Sequence, residues 1–162
     1  MPAAVEIRVV DEIEQAVRGA DVLIIATLAR EPIVGGQWLK PGQYVTAIGA
    51  DGATKCDLDA LSLRPARVIG DDRQAALAYG DVHRAIGQGG YEAAAIAGEI
   101  GYGLAGRSRA DEITIAKPVS LGVQDLAAAL VAVETLSAER PHRRRREPPA
   151  QGLQGSRLVK VD

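Results

Sequence analysis

The sequence predicts an α/β domain built on a mainly parallel sheet, and three observations carry that expectation. Four short apolar runs have strand length and turn-forming flanks, helical patterns lie between them, and 162 residues is the length of one ordinary domain. In chain order, residues 5–10 alternate and are expected at a sheet edge. Residues 11–18 read as a helix: Asp11 and Glu14 have capping-box spacing, Ile13, Ala16 and Val17 share a face, and Gly19 stops it. The run Val22-Leu23-Ile24-Ile25-Ala26 has no polar interruption, as expected of a parallel strand covered on both faces. Tyr44-Val45-Thr46-Ala47-Ile48, Ala66-Arg67-Val68-Ile69 and Ile113-Thr114-Ile115-Ala116 are the other strands. Helices are expected over residues 72–78, 93–104 and 122–139. In the last, Val123, Leu126, Leu130 and Val133 follow three-and-four spacing while four alanines leave the opposite face apolar, which predicts packing on more than one side.

Hydrophobic residues at 47% and charged residues at 25% are ordinary for a globular chain. No apolar run approaches the roughly 18 residues of a membrane span, and the N-terminus lacks a signal-peptide pattern, so a cytoplasmic protein is expected. The single cysteine excludes an internal disulfide, and two histidines make a protein-built zinc site a poor reading. Residues 140–162 hold seven of the 19 basic and two of the 21 acidic residues, so this stretch carries +5 and the rest −7. An acidic body argues against nucleic-acid binding. The folded domain is expected over residues 1–139, and the arginine run flanked by prolines over residues 140–162 reads as a disordered basic tail.

Ligands of open parallel sheets bind beyond the carboxyl ends of the strands, which directs attention to the residues after each apolar run. Asp51 stands out within Gly49-Ala50-Asp51-Gly52, where glycines permit a tight turn and close approach of a ligand. A carboxylate partly shielded there is expected to have a raised pKa and to exchange protons with a substrate; an Asp that caps the next helix is the competing reading. Gly101-Tyr102-Gly103-Leu104-Ala105-Gly106 fits the dinucleotide fingerprint letter for letter, but the helical pattern read before it and the polar residues after it are the wrong surroundings. A glycine-rich helix end is expected there instead. Cys56 has no partner nearby and reads as a buried thiol, and His83 as structural.

Four segments together resemble the ornithine cyclodeaminase/mu-crystallin family. They are Gly19-Ala20-Asp21-Val22-Leu23-Ile24-Ile25-Ala26-Thr27 with Arg30-Glu31-Pro32-Ile33; Trp38-Leu39-Lys40-Pro41-Gly42 leading to Ala47-Ile48-Gly49-Ala50-Asp51-Gly52 and Lys55-Cys56-Asp57-Leu58-Asp59; Gly80-Asp81 with Gly98-Glu99-Ile100 and Leu104-Ala105-Gly106-Arg107; and Asp111-Glu112-Ile113-Thr114 with Val123-Gln124-Asp125-Leu126. The second is similar to the family signature V-G-A-D-x-x-x-K-x-E-L. The resemblance implies a partial Rossmann-type domain with a long C-terminal helix, and NAD or NADP as cofactor. It also implies an amino-acid or imino-acid substrate, and a homodimer in complete members. It matches Asp51 to the acid/base aspartate and Lys55 to a lysine that anchors the loop. Thr27, Ile48 and Gly49 match positions beside the cofactor. The implied reaction is conversion of ornithine to proline and ammonia, with reduction of a cyclic imine or alanine dehydrogenation as relatives of the same chemistry, and an inactive remnant or binding subunit as the reading from another class. Ala116-Lys117-Pro118-Val119-Ser120 stands where many members have F-K-S-x-G. The family's glycine-rich loop and its basic substrate-binding residues are expected ahead of Met1, so that this chain corresponds to a truncated, later half.

Overall fold

The computed structural model of the chain describes residues 7–102 and 107–138. The chain divides into two compact units between Asp125 and Leu126. The first contains five strands, β1 (Val22–Ile25), β2 (Tyr44–Ala47), β3 (Arg67–Gly70), β4 (Ile96–Glu99) and β5 (Thr114–Lys117), in the order β1-β2-β5-β3-β4. Every neighbouring pair is parallel. The strand that comes last in the chain is therefore the central one, and β5 is buried along its whole length. Its register aligns one apolar row across the sheet: Leu23, Val45, Ile115, Val68 and Ile96 are successive partners. Val45, Val68 and Ile115 are fully buried, and each such side chain contributes about 1.5–3 kcal/mol, so this row is the backbone of the core.

Five α-helices lie among the described residues: α1 (Ile13–Gly19), α2 (Ala60–Leu63), α3 (Arg73–Ala78), α4 (Gly80–Gly87) and α5 (Gly122–Ala138). Side chains cap two of them. Asp59 accepts from Ser62 N at 2.8 Å and Asp72 from Ala75 N at 2.7 Å, satisfying amides that have no partner within the helix. Gln43, buried at the start of β2, donates to Val17 O at 2.7 Å and Ala20 O at 3.0 Å, tying the end of α1 to the sheet.

Several expectations are corrected. Residues 96–99 form strand β4, not a helix, after a short 3-10 turn at Ala93–Ala95. Pairing with β3 and burial of Ile96 outweigh the helix propensity of the alanines. A strand therefore does precede Gly101; no helix is found at residues 107–113, and residues 103–106 of that pattern lie outside the described residues. Strand β1 lies at the edge, and Val22 and Ile24 are 60% and 68% exposed, so it is open on one face rather than covered on both. The α1 N-cap is Glu12 with no side-chain cap, because Glu14 turns outward to pair with Arg18 at 2.7 Å. Residues 7–10 carry no strand, and residues 5–6 lie outside the described residues, as does the basic tail. Every residue of α5 is exposed.

Candidate functional site

Because all five strands run the same way, their carboxyl ends gather at one end of the sheet, where such sheets bind ligands. Thr27 follows β1, the segment Ile48-Gly49-Ala50-Asp51 follows β2, Asp71 follows β3, and Pro118-Val119-Ser120 follow β5. Thr27 and Gly49 are brought into direct contact. A Cβ added at Gly49 would lie 2.0 Å from Thr27 O and 2.4 Å from Thr27 N, so only glycine allows the two chains to approach this closely. Ile48 N donates to Ile25 O at 2.9 Å, and the Ile48 side chain is 41% exposed at this end of the sheet.

Asp51 and Lys55 form an ion pair, with the lysine Nζ donating to Asp51 Oδ1. The Asp51 side chain is 39% exposed. Its pKa lies below the ordinary carboxylate value, chiefly because of the Lys55 hydrogen bond. The raised pKa expected for Asp51 is thus corrected: burial is too slight to oppose the adjacent ammonium. The helix-capping alternative also fails, since the caps of α2 and α3 are Asp59 and Asp72. An ionised carboxylate at the mouth of the crevice can accept a proton from a substrate, and Lys55 fixes its orientation.

Beneath this surface lies a buried polar network in which Asp57, Asp81 and Lys117 carried no assigned role in the sequence. Thr27 Oγ1 donates to Asp57 Oδ1 at 2.5 Å, and Asp57 is fully buried. Burial raises the Asp57 pKa, against the lowering effect of the Thr27 hydrogen bond. Asp81, also fully buried, accepts from Asp57 N at 2.6 Å and Leu58 N at 2.8 Å. Lys117, at the end of β5, is fully buried and donates to Ala47 O at 2.8 Å, Ala50 O at 3.2 Å and Pro118 O at 3.3 Å. Its ammonium lies 3.4 Å from Asp81 Oδ2. Asp71 joins two strand ends by accepting from Val119 N at 2.9 Å. Asp57 and Asp81 lie in segments that resemble the family and Lys117 stands at the lysine of F-K-S-x-G, which are the sequence signals of this network. Cys56 is buried and its thiol is pushed up to about 12, first by burial and then by Asp81, which leaves no thiolate for nucleophilic chemistry. His83 Nδ1, on α4, lies 2.9 Å from Leu77 O of α3. Among the described residues no cluster of metal-ligating groups occurs, and no helix is long and apolar enough to cross a membrane.

A parallel five-stranded sheet alternating with helices, with the Asp51–Lys55 ion pair at its carboxyl end, defines the class: a Rossmann-type domain. The chain belongs to the ornithine cyclodeaminase/mu-crystallin family, whose model matches residues 2–140. It is 35% identical to mouse ketimine reductase mu-crystallin over 136 residues, covering 82% of this chain and 41% of the mouse protein. Among solved structures it is similar to Thermococcus litoralis Δ1-pyrroline-2-carboxylate reductase in complex with NADH and L-proline, with a TM-score of 0.73 and 30% identity, covering 80% of this chain and 42% of that one. It is also similar to an archaeal alanine dehydrogenase dimer with bound NAD, with a TM-score of 0.70 and 34% identity, covering 80% of this chain and 42% of that one. The chain spans about two fifths of the length of the curated relatives it matches, 38–41% for the first three.

Proposed function

We propose that this chain forms the acid/base and nicotinamide-side portion of an NAD(P)-dependent enzyme that acts at the α-carbon of an amino or imino acid. The observation that carries the reading is the Asp51–Lys55 pair at the carboxyl edge of the sheet, beside the exposed Ile48 and the Thr27–Gly49 contact. The residues present fit one end of the cofactor. Ile48 and Leu28, 41% and 78% exposed, offer apolar surface to a nicotinamide ring, and Thr27 and Gly49 offer backbone beside it. For the pyrophosphate the fit is absent: among the described residues no glycine-rich loop runs from a strand into a helix N-terminus.

Bound there, NAD(P) supplies hydride exchange at the substrate α-carbon. Asp51 takes the proton released from the substrate nitrogen, or from an attacking water or amine, and returns it in the reverse direction. Its low pKa keeps it ionised and ready to accept at neutral pH. Lys55 holds that carboxylate in place.

Three finer reactions use this chemistry. Cyclodeamination of ornithine to proline and ammonia needs a side-chain amine to attack the oxidised α-carbon. Reduction of a cyclic imine needs one hydride delivered to the α-carbon and one proton on the nitrogen, and dehydrogenation of alanine needs one hydride removed, then addition of water and loss of ammonia; the names of the three similar proteins favour these single-hydride reactions. The complete protein, a homodimer in this proposal, is assayed with ornithine and no reduced cofactor, then with pyrroline-2-carboxylate and NADH or NADPH. Proline with ammonia in the first assay selects cyclodeamination; cofactor oxidation in the second alone selects reduction. Turnover in neither, nor with alanine and NAD, overturns the proposal.

A further inference from the structure

We propose that Lys117 is a positioning residue for Asp51, clamping the backbone on both sides of the Ile48-Gly49 segment from below. The inference rests on the reading of Asp51 as the acid/base group. A fully buried ammonium has three protons to satisfy, and leaving them unpaired would cost more than the fold can spare. Lys117 directs them at Ala47 O, Ala50 O and Pro118 O, at 2.8, 3.2 and 3.3 Å. Were Lys117 only the counter-charge of Asp81, the carboxylate would be its nearest partner. Instead Asp81 Oδ2 is the most distant, at 3.4 Å, and the shortest contact is to the peptide where β2 ends.

The two carbonyls that Lys117 holds bracket Ile48 and Gly49, and Ala50 adjoins Asp51. Asp81 grips the other end of the same loop through Asp57 N and Leu58 N. Gly80 closes the frame: its N–H donates to Gly52 O at 3.1 Å, and it packs so tightly on the loop that an added Cβ would lie 2.3 Å from Ala50 O and 3.1 Å from Lys117 Cε. The Asp51–Lys55 loop is thus suspended between the two ends of one buried ion pair. Lys117 also contributes to lowering the Asp51 pKa, well behind the Lys55 hydrogen bond.

The test compares Lys117→Met with the double variant Lys117→Met/Asp81→Asn, in which no buried charge is stranded and the side-chain amide introduced in place of Asp81 keeps an oxygen for Asp57 N and Leu58 N. Folding stability is read by urea unfolding and loop order by amide exchange in the full 162-residue chain. In the double variant, stability returns toward wild type, while exchange of the Gly80 and Lys55 amides, both bonded to Gly52 O, quickens at least about tenfold and that of Val68 and Ile115 does not. Wild-type exchange at Gly80 and Lys55 in the double variant would reduce Lys117 to a counter-charge and overturn the proposal. If neither variant folds, the unaltered chain decides: slowly exchanging Lys117 ammonium protons with contacts to residues 47–51 are expected, and fast-exchanging protons overturn it. Turnover of the complete protein separates this inference from the one beneath it. A disordered loop with activity retained in Asp51→Asn would sink the role of Asp51 and leave the clamp standing.

Discussion

Asp51 lies exposed at the carboxyl end of the sheet and is kept ionised by Lys55, whereas Asp57 is fully buried and burial raises its pKa. Two carboxylates six positions apart are thereby separated in role by environment alone. Asp51→Asn keeps the shape and removes the proton acceptor, so the complete protein should lose about 10²–10⁴-fold in kcat with cofactor affinity unchanged; both are read from steady-state kinetics and cofactor titration. For Asp57 the sign runs the other way. A folded-state pKa above the unfolded value means the folded chain binds the proton more tightly, so Asp57 favours folding at low pH and loses that contribution as pH rises from the ordinary carboxylate range through its folded pKa. Urea unfolding between pH 4 and pH 7 should show this decline in wild type and a flatter profile in Asp57→Asn. Asp51 was legible in the sequence because it follows an apolar run in a glycine-flanked turn, and Lys55 through the resemblance to the family signature. Lys117 was not, because its partners lie 67 and 70 positions away and only the sheet brings them together.

Strand β4 shows how far an element can depart from its local pattern. Its alanine-rich approach favours helix, yet parallel pairing with β3 and burial of Ile96 decide the outcome. Helix α4 begins at Gly80, whose φ of +71° and contact with Ala50 O exclude a side chain. Gly80→Ala should cost about 2 kcal/mol or more in urea unfolding, since it adds both backbone strain and a clash. Ser120, with φ +65°, occupies the position of the glycine in the family pattern F-K-S-x-G. Ser120→Gly should therefore stabilise by up to about 1 kcal/mol in the same measurement, the strain relief being partly offset by unfolded-chain entropy. The four strands with uninterrupted or alternating apolar runs were legible from the sequence. Helix α4 was not, because its placement is dictated by the loop against which it packs.

At the scale of the whole molecule, the chain presents the Asp51–Lys55 pair at the carboxyl end of its sheet, and no glycine-rich phosphate loop among its described residues. Added to the purified chain, NAD or NADP at millimolar concentration should therefore raise the melting temperature by no more than roughly 1 °C, as calorimetry would check; a large rise would place a phosphate site within these residues. Helix α5 has Val123, Leu126, Leu130 and Val133 all more than half exposed. The sequence by itself determined the α/β class, four of the five strands and the prominence of Asp51, because period and turn residues are local properties, and the resemblance of its motifs added the family and Lys55. The tertiary structure alone decided the strand order that puts β5 at the centre, the ionised state of Asp51 and the buried Asp57–Asp81–Lys117 frame. Those depend on which distant backbone carbonyls and charges share a low-dielectric interior, and no local pattern encodes that distance.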